Sequence, residues 1–116
     1  MVSATAYADG VTVVRSQFTD RVEHGQPVGG AAEATGAATG AYWMEMNNAG
    51  APTSVTVVWS VNGHEVGRQS LDVGHAPRWR TWAFRHLHNA HDVSVSVLDA
   101  SGHAIHADHL GGTASR

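Results

Sequence analysis

Alternating apolar residues that end in a turn signal are the feature that most restricts the fold of this chain. Residues 55–61 alternate between the two faces of an extended strand, and the larger apolar side chains share one face: Val55, Val57, Trp59 and Val61. Asn62 and Gly63 follow directly, and this pair accepts the positive φ that a type I′ turn requires at both central positions. The sequence therefore predicts a β-hairpin with 64–73 as its return strand.

The same two-residue period recurs in further segments of the chain. These segments are 11–18, which 19–24 can extend, and then 41–47, 78–85, 93–97 and 103–110. Between them, residues 25–40 are rich in Gly, Ala and Thr and are predicted to form a long loop. A short helix over 31–38 is the less favoured alternative, because Thr35 and Gly36 weaken it.

The number of short strands decides the fold class. About seven strands separated by turn signals, without the crossover helices of an α/β sheet, predict an all-β, immunoglobulin-like antiparallel β-sandwich. The length of 116 residues fits one domain over 1–116, with 1–9 and 111–116 as frayed ends. Hydrophobic residues form 42% of the chain and charged residues 15%, which excludes a disordered polyelectrolyte.

Composition also excludes several kinds of partner and chemistry. The net charge of -3 lacks the basic excess of a nucleic-acid-binding protein. The chain has no cysteine, which removes disulfides, thiolate nucleophiles and cysteine zinc sites. No apolar run is long enough to cross a bilayer, so we expect a soluble chain without a transmembrane segment. The compartment is left open, because a signal peptide or anchor outside this chain would make the domain extracytoplasmic.

Several segments together resemble a known family. The residues that carry the resemblance are Phe18, Thr19, Val22 and Pro27, the strand Val57, Val58 and Trp59 with Asn62 and Gly63, the run Arg78, Trp79, Arg80, Thr81 and Trp82, and the turn 99–102. They resemble the bacterial family called domain of unknown function twenty-nine fourteen, and the run Trp79–Trp82 is the most specific part. The chain departs from the family pattern at Val57, Ala83 and Val93, where histidine, serine and tryptophan are usual. The resemblance implies a β-sandwich often attached to bacterial envelope proteins, with no established activity.

An excess of histidine suggests a metal site. The chain has nine histidines, and His86, His88 and His91 are the densest group. A strand puts the first two on one face and a turn can return the third, which would suit copper or zinc with an open fourth position. A second group, His103, His106 and His109, is split between two faces by its spacing of three. In the alternative interpretation, all of these histidines are solvated side chains on loops and edges.

Familiar catalytic signatures are absent from the sequence. The chain has no nucleophile elbow, phosphate-binding loop, zinc-protease helix or dinucleotide-binding motif. A serine, histidine and aspartate triad would have to be assembled from Ser94, Ser96 or Ser101 with Asp92, Asp99 or Asp108 and a nearby histidine. A metal-free enzyme that uses histidine with a buried carboxylate such as Glu45 is a further alternative.

The best candidate for a binding surface is one face of the segment 78–85. Arg78, Arg80, Trp82 and Phe84 share this face, and arginine beside an aromatic ring can recognise a sugar, a carboxylate or a partner loop. In the competing interpretation Trp82 packs under a loop and the arginine stems cover it. Our leading hypothesis is a non-catalytic module that binds a carbohydrate, peptide or protein partner. The alternative is a small histidine-ligated copper or zinc enzyme, oxidative or hydrolytic, and open strand edges make a homodimer a further expectation.

Overall fold

The main strands of the protein form two antiparallel sheets, and the alternation of side chains along each strand gives each sheet one apolar face. The computed structural model describes residues 10–30, 39–86 and 92–110. The strands are β1 (Val11–Thr19), β2 (Val22–Glu23), β3 (Gln26–Pro27), β4 (Thr39–Asn48), β5 (Thr53–Val61), β6 (His64–Val73), β7 (Ala76–His86), β8 (Val93–Leu98) and β9 (Ala104–Leu110). One sheet has the order β1-β4-β7 and the other β6-β5-β8-β9, while β2 and β3 form a separate hairpin.

The described residues form an immunoglobulin-like sandwich of seven main strands, as the sequence predicts. The chain crosses between the sheets after β4, β6 and β7, and every paired strand is antiparallel. The predicted hairpin is β5–β6, and Asn62 and Gly63 at its turn have φ of 53° and 85°. Val66 is the extra residue of a β-bulge in β6, since Ser60 pairs with Glu65 and Trp59 with Gly67.

The core lies between the inward faces of the two sheets. Phe18, Tyr42 and Trp59 form its aromatic centre, with ring centroids 5.1 to 6.4 Å apart in tilted and edge-on contacts. Valines of β5 and β8 and methionines of β4 fill the space around these rings, and all of them are buried: Val55, Val57, Val93, Val95, Val97, Met44 and Met46. The alternation read from the sequence therefore assigns the core face of these three strands correctly.

A small hairpin covers part of the outward face of the three-stranded sheet. The first strand does not extend through 19–24; it ends at Thr19, and β2 pairs with β3 across His24 and Gly25, which both have positive φ. The hairpin packs onto the sheet where Trp43 Nε1 donates a hydrogen bond of 2.9 Å to the carbonyl of Gly25. Thr19 Oγ1 holds the return of this segment by accepting from Gly29 N at 2.9 Å. Trp43 and Glu45 are consequently buried although they point away from the core.

The long loop predicted over 25–40 is shorter in the structure. It contains β3 near its start, and β4 begins at Thr39. The helix considered over 31–38 and the predicted frayed ends at 1–9 and 111–116 lie outside the described residues.

Two side chains of β7 bridge the gap to the other sheet along what we call the β6–β7 seam. The Trp79 ring lies against Gly74, where an added Cβ would be 2.7 Å from a ring carbon, and Trp79 Nε1 donates to the carbonyl of Asp72 at 2.9 Å. At the other end of the seam the Arg85 guanidinium lies over Gly67 and donates to the carbonyl of Val66. Both bridging groups occupy the space that a side chain would take: at Gly74 this group is a rigid ring, and at Gly67 it is the flexible end of Arg85.

Candidate functional site

The four residues predicted to form a binding surface lie together on the outward face of β7. We call Arg78, Arg80, Trp82 and Phe84 the β7 strip. Cross-strand pairing sets Arg80 beside Glu45, Trp82 beside Trp43 and Phe84 beside Ala41 of the central strand. Phe84 is 48% exposed, Arg78 is exposed and Trp82 is partly buried. The β2–β3 hairpin therefore covers the central strand and leaves the edge strand with its aromatic side chains accessible.

Ion pairs fix the charged part of this face. Glu45 Oε1 accepts from Arg15 Nη2 at 2.9 Å and from Arg80 Nε at 3.3 Å, so one carboxylate joins arginines of both edge strands. The Arg15 guanidinium also lies 5.1 Å from the centroid of the Trp43 ring, within the range of a cation–π contact. The hydrogen bond from Arg15, and then that from Arg80 with the charges of Arg15 and Arg78, lower the pKa of Glu45 although burial opposes the shift.

This environment makes Glu45 a poor general base. A carboxylate whose pKa is lowered by two arginine hydrogen bonds binds a proton weakly at neutral pH, whereas an efficient base has a pKa close to the working pH. The hypothesis of acid–base chemistry at Glu45 is not supported by its partners. Its observed contacts instead orient Arg15 and Arg80 on the sheet face.

A cleft continues the β7 strip at the end of the strand. It has a volume of about 560 Å³ and is lined by Val61, Val66, Phe84, Arg85 and His86. Val66, displaced by the bulge in β6, is 42% exposed, so the cleft presents Val66 and Phe84 as accessible apolar groups. The Arg85 guanidinium is held in place by its hydrogen bond to the carbonyl of Val66. An apolar floor with a fixed cation is typical of small ligand sites.

Of the first histidine group, His86, His88 and His91, the structure describes one member. His86 is exposed at the end of β7 and lines the cleft, whereas His88 and His91 lie outside the described residues. Within 10–30, 39–86 and 92–110, no group of three or more His, Asp or Glu side chains could hold a metal ion. Copper or zinc binding by His86, His88 and His91 stays a prediction.

The second histidine group is split between faces, as its spacing predicts. His106 lies on the inward side of β9, opposite Val97, and His109 lies on the outward side, opposite Ser94. His109 Nε2 contacts the Asp92 carboxylate, while His103 Nδ1 lies 3.0 Å from Ser101 Oγ in the turn before β9. These residues do not converge on one point.

A polar cluster that the sequence analysis missed lies between the edge strands β1 and β9, which we call the β1–β9 seam. Ser16 Oγ and Tyr42 OH donate to Asp108 Oδ2 at 2.5 and 2.6 Å, and His106 Nε2 lies 3.0 Å from Ser16 Oγ. Burial opposes ionisation of Asp108, but hydrogen bonds from Ser16 and Tyr42 and the charge of His106 outweigh it and lower its pKa. Burial, followed by the bond to Asp108, raises the pKa of Tyr42 well above its ordinary value.

This geometry is structural and differs from that of a catalytic triad. In a triad the histidine accepts the serine proton and the carboxylate holds the other ring nitrogen, whereas here Ser16 donates to Asp108 and His106 Nε2 is 3.3 Å from the same carboxylate oxygen. The second possible triad, at Ser101, is part of a turn. Ser101 Oγ and the backbone N of Ser101 and His103 all donate to Asp99 Oδ1, which closes this turn. A sequence signal for the seam exists, because His106 and Asp108 fall on the core face of β9 together with Leu110.

The fold and the site together define a small immunoglobulin-like β-sandwich domain with an accessible strip of arginine and aromatic side chains on one edge strand. The family described as Protein of unknown function (DUF2914) matches residues 52–109, and the chain belongs to this family. The matched region holds the β5–β6 hairpin and the Trp79–Trp82 run, and it contains the whole β7 strip.

Other comparisons add no relative. Neither the curated proteins nor the solved structures gave a match to the chain. Among the described residues, no helix is long and apolar enough to cross a membrane. The homodimer expected from open strand edges stays a prediction.

Proposed function

We propose that this domain is a non-catalytic binding module that holds a carbohydrate, peptide or protein partner on the β7 strip and in the adjoining cleft. One observation carries the proposal: two large apolar side chains, Phe84 and Val66, are 48% and 42% exposed and line the same cleft. Exposed apolar groups that cluster in a concave site mark interaction surfaces more often than exposed apolar residues that stand alone.

Preorganisation supports binding at this surface. The strip lies on a β-strand, and the Glu45 carboxylate positions Arg80 through an ion pair of 3.3 Å. Arg85 is similarly held by the carbonyl of Val66. Side chains that are already fixed lose less conformational entropy when a ligand binds. The surface is therefore better suited to recognition than a set of freely rotating arginines would be.

The chemistry of the charged groups in the β7 strip and of the neighbouring Glu45 supports a non-catalytic role. Arginine side chains remain protonated at all ordinary pH values, so Arg78 and Arg80 do not transfer protons. Glu45, which lies beside Arg80 on the central strand, has a lowered pKa because its carboxylate accepts hydrogen bonds from two arginines, Arg15 first and then Arg80. These groups can attract and orient a ligand.

The test is a ligand screen followed by matched substitutions. The purified domain is applied to a glycan microarray and to a phage-displayed peptide library, and hits are measured by calorimetry. Phe84→Ala and Trp82→Ala should each weaken binding at least about tenfold, because central aromatic contacts dominate interface energies. Val14→Ala is the control, since Val14 is 55% exposed on the opposite edge strand.

Circular dichroism and thermal melting establish that the variants remain folded. A ligand that binds equally well to wild type, Phe84→Ala and Trp82→Ala would show that the β7 strip is not the binding site.

A further inference from the structure

We infer that the ligand of the β7 strip is a carboxylated carbohydrate, an inference that rests on the proposed function and names its substrate class. The observations behind it are the excess of arginine over carboxylate on this sheet face, the lining of the cleft, and the two bridges that close the edge of β7. Each restricts the chemistry of the ligand in a different way.

Charge is the first restriction. On the described strands β1, β4 and β7, the outward face carries Arg15, Arg78 and Arg80 with one carboxylate, Glu45, so these strands present an excess of positive charge in a chain whose net charge is -3. The hairpin on this face leaves the excess unchanged, because its Glu23 is paired with Arg21 at 3.0 Å. Glu45 is buried, whereas the side chains of Arg15 and Arg80 remain 58% and 36% exposed. Exposed cations over a buried anion direct a positive potential outward. An anionic ligand is favoured over a neutral or cationic one.

The lining of the cleft extends this restriction. Among the described residues that line it, Arg85 and His86 are the polar ones and none is a carboxylate. The Arg85 guanidinium carries five N–H donors, of which one is directed at the carbonyl of Val66. Guanidinium groups recognise carboxylates in a planar, two-bond geometry, which makes them more selective for this group than a point charge.

The closed edge of β7 distinguishes a carbohydrate from an extended peptide. A peptide that binds by strand addition needs a free sheet edge for its backbone hydrogen bonds. At β7 the side chains of Trp79 and Arg85 cross that edge and bond to carbonyls of β6 at Asp72 and Val66. A peptide strand would have to displace both bridges, so strand addition is disfavoured and the ligand must lie on the side chains of the face.

The face itself presents groups suited to sugar rings. Trp82 and Phe84 are two residues apart on one strand, a spacing of roughly 7 Å along the strand axis. The C–H faces of sugar rings pack against aromatic side chains, and a uronic acid adds the carboxylate that the arginines would bind. A carboxylated glycan thus combines in one repeating unit the apolar and anionic groups that the β7 strip is able to recognise.

Calorimetry with matched oligosaccharides tests the inference. The probes are oligogalacturonate, its fully methyl-esterified form of the same length, and poly-L-glutamate of similar charge. The esterified probe keeps the sugar rings and removes the negative charge, while polyglutamate keeps the charge and removes the rings. We expect oligogalacturonate to bind at least about tenfold more tightly than either, and its affinity to fall as salt is raised.

Substitutions locate the interaction. Arg78→Gln should weaken oligogalacturonate binding about five- to tenfold, with Arg68→Gln as the control, because Arg68 is paired with Glu65 on the other sheet. Phe84→Ala should weaken oligogalacturonate and its ester alike, and Val14→Ala should change neither. All four positions are exposed, so folding is expected to be preserved, and thermal melting checks this.

These measurements distinguish failure of the proposed binding site from failure of the proposed ligand class. Equal binding of oligogalacturonate and its ester, with both weakened by Phe84→Ala, would overturn the carboxylate inference and leave the binding module intact. Tighter binding of polyglutamate, or no binding of oligogalacturonate at millimolar concentration, would overturn the choice of a carboxylated carbohydrate. Binding that Phe84→Ala and Arg78→Gln leave unchanged would overturn the site itself, and with it the proposed function.

Discussion

Replacing Gly74 by alanine should destabilise the domain because the Trp79 ring occupies the space of the new methyl group. A Cβ at Gly74 would lie 2.7, 3.1 and 3.2 Å from three ring carbons of Trp79, closer than the roughly 3.5–4.0 Å of an optimal carbon contact. Gly74 does not have a positive φ, so alanine fits its backbone and the contact with the ring is the main effect.

The size of the effect follows from three contributions. Overpacking against the ring costs about 1–3 kcal/mol. Displacing the ring also weakens the Trp79 hydrogen bond to the carbonyl of Asp72, which is worth about 0.5–1.5 kcal/mol. The lower entropy of the unfolded alanine chain offsets about 0.4–1 kcal/mol. The net loss is about 0.5–4 kcal/mol, with a central value of about 2 kcal/mol that corresponds to a melting temperature lower by roughly 10 °C.

Urea unfolding followed by tryptophan fluorescence measures this loss, and two comparisons isolate its cause. Gly67→Ala is the matched control, because there the displaced group is the flexible end of Arg85 and the stability should stay within about 1 kcal/mol of wild type. In a Trp79→Leu background, Gly74→Ala should cost less than about 0.5 kcal/mol, since the ring is gone. An equal loss from Gly74→Ala with and without the Trp79 ring would refute the steric explanation.

Two further predictions concern titration and metal binding. The hydrogen bonds of Ser16 and Tyr42 lower the pKa of Asp108 in the folded protein below its ordinary value of 3.8. Ionised Asp108 therefore stabilises the fold when the pH is above 3.8. This stabilisation is lost as the pH falls from 3.8 toward the lower pKa of the folded state. Asp108→Asn should therefore lower the urea midpoint at neutral pH and flatten its fall between about pH 5 and pH 2; a parallel acid profile in the variant would contradict this. If His86, His88 and His91 bind copper or zinc, added metal should raise the melting temperature of untagged protein, and His86→Ala should abolish the shift while His75→Ala keeps it. Less than about a tenth of an equivalent of metal, with no thermal shift, would reject this site.

The parts of the fold that depend on local pattern could be predicted from the sequence. The alternation of Val55, Val57 and Trp59 and the Asn62-Gly63 pair are local signals, and the β5–β6 hairpin follows them. The placement of Trp82 and Phe84 on one face of β7 likewise requires only the two-residue period of a strand. The fold class and the membership of the candidate strip therefore follow from properties of short segments.

The parts that depend on distant contacts could not be predicted in this way. β2 and β3 have two residues each, too few for a period to appear, and their hairpin is what buries Trp43. The bonds from Ser16 and Tyr42 to Asp108 join β9 to β1 and β4, which lie far away in the sequence, and no local pattern indicates such a pairing. The cleft depends on the bulge at Val66, which becomes visible only once the register of β5 and β6 is known.

The central claim is that the outward face of β7 binds the ligand, and an NMR titration of the uniformly labelled domain with oligogalacturonate tests it most directly. We predict that the amide shift changes cluster at residues 78–86 and at Arg15, with smaller changes along β9 and in the turn at 99–102. Shift changes concentrated at the β1–β9 seam or in the 99–102 turn, with β7 unaffected, would contradict the claim.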